Sequence, residues 1–192
     1  MPRHNVREQL VDAGLHTLYR QGFNGSGVQD ITAAAGVPKG SFYNHFESKE
    51  AFALEVLERF WLSGDNRRSL LADTQTAPVE RLRRHFKALS DAVVRYDVHA
   101  GCLIGNFSTE LSGQSEPVRD RLIRIYADWT KCVETCVQEA ADAGNLRAGL
   151  SPGDVAAFLI NAWEGAVMRA KVERSRLPLD QMNTVAFAAL FS

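Results

Sequence analysis

Apolar residues recur at steps of three and four along almost the whole chain, the period of helices that bury one face. Val6, Leu10, Ala13 and Leu18, with Leu15 and Thr17, predict a helix from about Arg3 to Arg20 that Gly22 ends. Phe23 follows as an apolar residue expected to fold back on the core, and Asn24-Gly25-Ser26-Gly27 reads as a loop. Two short helices come next. Ile31 and Ala35 mark one face of the first, from about Val28 to Ala35, and Gly36 supplies a left-handed cap. Val37 is expected to bury the turn, and Pro38 to open the second helix, where its missing N–H is harmless. On that helix Phe42 and Phe46 must face inward, which turns Gly40, Tyr43 and Asn44 outward.

The later pattern is helical as well. Ser48 is placed as the N-cap of a fourth helix whose Phe52, Leu54, Val56, Leu57, Phe60 and Trp61 are apolar around much of the circumference. It is expected to be buried and to link two domains. After a polar stretch from Asp73 to Pro78, a fifth helix runs from Val79 to Tyr96, and a short sixth lies between Gly101 and Gly113. Ser115-Glu116-Pro117 opens a long seventh that runs to Ala143, capped by Gly144-Asn145. Ser151-Pro152-Gly153-Asp154 starts the eighth with an N-cap, a proline at the first position and an acid at the third. Pro178 opens the last, to Phe191, and its apolar end must pack internally or meet another subunit. The fold class is therefore all-α with about nine helices. A three-helix helix-turn-helix domain over 1–47 precedes a larger domain over 48–192.

Helix, turn and helix within some twenty residues is the arrangement that places the start of a second helix in the major groove of DNA. Gly40 fits that reading, because glycine inside a helix is about 1 kcal/mol worse than alanine unless something must approach the backbone. Tyr43 and His45 are then within reach of phosphates. Charge argues the other way. The net charge of the 192-residue chain is −1, and residues 1–50 carry five Lys or Arg against five Asp or Glu. A basic footprint would have to come from placement, with Arg3, Arg7, Lys39 and Lys49 facing one way, and few phosphate contacts per subunit are expected.

The run Ile31-Thr32, Ala34-Ala35-Gly36-Val37, Lys39-Gly40-Ser41-Phe42-Tyr43-Asn44-His45-Phe46 and Ser48-Lys49-Glu50 resembles the TetR family of transcriptional regulators. The resemblance implies an all-helical homodimer that represses transcription from a double-stranded DNA operator until a small-molecule effector binds. It makes Lys39, Gly40, Ser41 and Tyr43 candidates for DNA contact, with the outward Asn44, and His45 and Lys49 for phosphates. Gln29 falls where some members also touch DNA. The last two helices of such proteins form a four-helix dimer bundle, and the pattern here is compatible with that. Gly101-Cys102-Leu103-Ile104-Gly105-Asn106 is similar to a branch containing the N-ethylmaleimide reductase repressor and acrylate-responsive regulators, which answer electrophiles or small unsaturated acids.

Catalytic chemistry has no counterpart among the motifs: GxSxG, HExxH, a P-loop and GxGxxG are all missing, and no zinc spacing occurs. No cofactor or metal is expected. Three cysteines, Cys102, Cys132 and Cys136, in a chain without a signal-peptide core or a membrane-length apolar run point to a cytoplasmic protein without a disulfide framework. Cys102, beside Gly101 at a helix start, is either a packing residue or a thiolate favoured by the helix dipole. On the C-terminal helices Phe107, Tyr126, Trp129 and Trp163 are candidate pocket residues, against a plain core role. Three other readings stay open: an activator of the same fold, a thiol enzyme using Cys102 with His99 as base, and a helical interaction module that never meets DNA.

Overall fold

The computed structural model describes residues 5–192; the expected helix start at Arg3 lies outside the described residues. Among them are ten α-helices: α1 Val6–Gln21, α2 Val28–Ala34, α3 Gly40–Tyr43, α4 Lys49–Ser63, α5 Asp65–Arg68, α6 Pro78–Asp97, α7 Leu103–Leu111, α8 Glu116–Asp142, α9 Pro152–Glu173 and α10 Leu177–Leu190. Nine of these match the nine expected. The tenth, α5, and the 3-10 turn Ser69–Ala72 behind it are four residues each, too short to carry a readable period. A lone antiparallel bridge joins Leu146 to Phe191.

The chain forms two compact units, Met1–Ser63 with Cys102–Ile123, and Gly64–Gly101 with Arg124–Ser192. In the first, Asn5 caps α1 by accepting the Arg7 N–H at 3.1 Å, and the helix buries Leu10, Val11, Thr17 and Leu18 against α2 and α4. Gly14 sits where any Cβ would overlap the Phe52 ring, so α1 and α4 approach as closely as they do only with glycine there. Phe42, Phe46 and Phe52 form one aromatic knot, with ring centroids 4.8 to 5.4 Å apart. Ion pairs bind the outer edges of α1 and α4: Arg7 with Glu55 at 3.1 Å and Arg59 with Asp12 at 3.0 Å. The expectation that α4 is buried around much of its circumference is corrected. Phe52, Ala53, Val56 and Leu57 are buried, but Trp61 is half-buried and Leu62 exposed, because the charged residues facing α1 leave only one apolar stripe.

α7 and the first turns of α8 belong to this same unit. Ser115 caps α8 by accepting the Val118 N–H at 3.2 Å, and its hydroxyl donates to Glu50 on α4. Arg121 pairs with Glu58 at 2.6 Å, so α4 is fastened to α8 at two points eight residues apart on its own sequence.

The second unit is built on α6, α9, α10 and the rest of α8. α8 ends in the predicted cap: Gly144 has φ 75°, its N–H reaches the Ala141 carbonyl, and the Asn145 N–H reaches that of Ala140. Ser151 caps α9 through the Asp154 N–H at 3.5 Å, with Pro152 at the first position. Val155, Leu159, Ile160, Trp163 and Val167 point into the unit, and α9 packs chiefly on α10. The end of α10 divides between the two fates expected for it. Ala186 and Phe187 are buried, Phe187 stacking on Phe191 at 5.5 Å, whereas Val185 is 65% exposed.

Candidate nucleic-acid interface

The turn between α2 and α3 is closed by two backbone bonds. Gly36, at φ 67°, donates to the Ala33 carbonyl at 3.1 Å, and Val37 donates to that of Thr32 at 3.0 Å. This pair of bonds is the cap that a left-handed glycine makes possible. Val37 is only half-buried, since the turn itself lies at the surface. α3 is shorter than the spacing predicted: Pro38 and Lys39 precede it, and Phe46 follows it as coil, although its N–H still reaches the Phe42 carbonyl at 3.0 Å. One turn suffices to seat Phe42, fully buried, and to turn its other faces out.

Lys39, Gly40, Tyr43, Asn44 and His45 are all exposed along α3 and its ends, Tyr43 by 59%, and Ser41 is half-buried among them. Gln29 is exposed in the first turn of α2. A Cβ at Gly40 would meet nothing within 4 Å, so the interior of the chain places no demand for glycine there. Lys49 is disposed differently. Its ammonium donates to the carbonyls of Phe23 and Ser26 and lies 4.1 Å from the centre of the Phe23 ring. Burial pushes this ammonium's pKa below the usual lysine range, against the opposing charges of Glu110 and Asp30. Phe23 thus folds back as expected, beneath a lysine and edge-on to Phe107 at 6.5 Å. The basic footprint expected from placement contracts accordingly. Arg7 is paired with Glu55 and stacked on Phe46, Lys49 is turned inward, Arg3 is outside the described residues, and Lys39 remains exposed.

Two family descriptions match the chain: "Bacterial regulatory proteins, tetR family" over residues 10–56 and "Tetracyclin repressor-like, C-terminal domain" over residues 78–186. The chain belongs to the TetR family. The transcriptional repressor DhaR of Mycobacterium sp. strain GP1 is 48% identical over 99% of this chain and 94% of its own. The regulator AcuR of Cereibacter sphaeroides is 33% identical over 91% and 80% respectively. A crystal structure of Escherichia coli NemR in reduced form superposes with a TM-score of 0.82 at 27% identity, over 97% of each chain. The branch that Gly101–Asn106 resembles is thus represented among its relatives. The protein is a TetR-family transcriptional regulator with a helix-turn-helix, and this family is not one of enzymes.

In this TetR-family chain the five candidate effector residues fall in different units. Cys102 and Phe107 belong to the first: Cys102 is the N-cap of α7 with extended backbone and is 5% exposed, and Phe107 is fully buried. Tyr126, half-buried, Trp129 and Trp163 belong to the second, where the two indoles meet edge to face at 5.7 Å. Each indole N–H has a buried polar partner that sequence reading did not single out. Trp129 donates to His85 Nε2 at 3.2 Å, which requires the imidazole proton to sit on Nδ1, facing the Arg67 carbonyl at 2.8 Å. Trp163 donates to Ser90 Oγ at 3.1 Å; that hydroxyl also accepts from Asn183 and donates to the Phe86 carbonyl. The available signal was their register: His85 and Ser90 lie on the same α6 face as Leu82, Phe86 and Val93, so two polar side chains interrupt an apolar stripe. Burial pushes the His85 imidazole down to about 4. Cys136, also buried, has its thiol raised to about 11.

Proposed function

We propose that the protein represses transcription as a homodimer on an inverted-repeat operator and leaves it when a small, mainly apolar effector binds. The observation that carries this reading is the exposed row Lys39, Gly40, Tyr43, Asn44 and His45 along α3 and its ends, held from behind by the buried Phe42. Gln29 and Ser41 extend the same surface. Residues 1–47 form the DNA-reading part and residues 48–192 serve effector binding and dimerisation, in the cytoplasm where the operator is. Regulators of this family bind DNA operators, are typically dimeric and respond to small molecules.

The dimer contact uses α9 and α10. Phe158, Met168 and Val172 on α9 and Leu177 and Val185 on α10 are all more than half exposed, a concentration of apolar surface that suits a partner subunit. The effector contacts Tyr126, Trp129 and Trp163, while Cys102 at the start of α7 is where an electrophile would act.

The experiment is selection of bound sequences from a random duplex pool, followed by anisotropy titrations in a salt series. A selected inverted repeat is expected, since protein symmetry is mirrored in the site. Tyr43→Ala should weaken binding across sequences, and Lys39→Ala should also shift sequence preference. Lys49→Met should weaken binding without flattening the salt dependence, because its ammonium faces the Phe23 and Ser26 carbonyls and supports α3 from inside. Recovery of no preferred sequence, or wild-type binding by all three variants, would refute the assignment.

A further inference from the structure

We infer that Glu110 is a positioning residue for operator recognition, and that through it α7 sets the affinity of the reading helices for DNA. This inference rests on the DNA-reading role of residues 28–45. Glu110 stands in the last turn of α7, and its Oε2 accepts the Asn24 N–H at 2.7 Å across 86 residues of sequence. Asn24 lies in the loop that leads straight into α2, whose N-cap is Gly27. The carboxylate and the loop touch closely: Gly22, at φ 75°, is so near that a Cβ there would overlap the Glu110 carboxylate. The loop is internally braced, with the Ser26 hydroxyl donating to the Gly22 carbonyl at 2.8 Å. Lys49 grips the same loop from the start of α4, just beyond α3. The loop is thus held from two sides, by an acid on α7 and a base on α4.

The opposite end of α7 begins at Cys102, and Leu103, Ile104, Phe107 and Leu111 anchor the helix in the unit. These four buried side chains fix the helix in the unit and so hold the Glu110 carboxylate in place against the loop. The carboxylate holds Asn24, and three residues later comes the cap of α2. The bond itself is exposed. Water replaces an exposed hydrogen bond at little expense to global stability, whereas this bond fixes the loop that leads into α2. Affinity for DNA and stability of the fold should therefore respond differently to its loss.

The test uses the full chain with Glu110→Ala and Glu110→Gln on the selected operator. Glu110→Ala is expected to raise the operator Kd about tenfold, the scale of one charge-assisted hydrogen bond. Its melting temperature and the slope of log Kd against log salt should remain those of wild type, since no phosphate contact is lost. Glu110→Gln keeps an oxygen that accepts the Asn24 N–H and should recover most of the affinity. The Asn24 amide should exchange faster in Glu110→Ala than in Glu110→Gln by NMR. Wild-type affinity in Glu110→Ala, a flattened salt slope, or a loss that follows a lowered melting temperature and is shared by Glu110→Gln would each overturn the inference. A wild-type chain that selects no DNA would overturn the DNA-reading assignment with it.

Discussion

Gly40 and His85 show how a single side chain, or its lack, separates demands of the fold from demands on it. Among the described residues nothing lies within 4 Å of where a Cβ at Gly40 would stand, and its φ is not positive. Gly40→Ala should therefore be neutral or stabilising by up to about 1 kcal/mol in thermal unfolding, yet reduce operator affinity, if backbone at that point meets the groove. Unchanged affinity would remove Gly40 from the contact set. For His85 the demand is internal. Its folded pKa of about 4 lies below the ordinary 6.5. Above about pH 6.5 the ring is neutral folded and unfolded, and its two hydrogen bonds are intact. As pH falls from 6.5 towards 4 the unfolded chain takes up the proton first, so stability declines across that window. The full loss is about 3 kcal/mol below pH 4. Urea titrations between pH 7 and 4 should show that decline, and His85→Gln should flatten it; an equal pH dependence in the variant would assign the effect to other groups.

At the scale of elements, what could be read from the sequence was whatever depends on neighbours. The start of α9 is written in Ser151, Pro152 and Asp154, and the ends of α2 and α8 in Gly36 and Gly144, because caps are built within six residues. α3 was misjudged in length since the i, i+4 pairing of Phe42 and Phe46 is satisfied by one turn and a following bond as well as by a longer helix. The exposed side chains from Lys39 to His45 were legible as the outward face of that pair. Lys49 was not legible as an internal clamp, because its partners Phe23 and Ser26 are backbone carbonyls over twenty residues away. Nor was the bond between His85 and Trp129, 44 residues apart, or that between Glu110 and Asn24. A pattern of apolar positions says which side chains go inside; it carries no record of which polar group answers another across the fold.

At the scale of the molecule, the proposed dimer makes a prediction that Gly165 sharpens. It is exposed on α9 with nothing within 4 Å of where a Cβ would stand, so Gly165→Glu fits a single chain without conflict and should improve helix propensity. Set against a partner helix, the same side chain would bring bulk and a charge to a place where only glycine stands. Sedimentation should show a folded monomer, and operator affinity should fall by orders of magnitude because two half-sites no longer bind as one. A dimer that persists would place the interface away from this stretch of α9. One detail of α8 bears on how the regulator can be watched at work. Cys132 is exposed while Cys102 and Cys136 are buried, the latter with its thiol far from ionised at neutral pH. A spin or fluorescent probe offered to the Cys102→Ser protein therefore has one accessible attachment point per subunit, and two such probes in a dimer turn the working state of the regulator into a single readable distance.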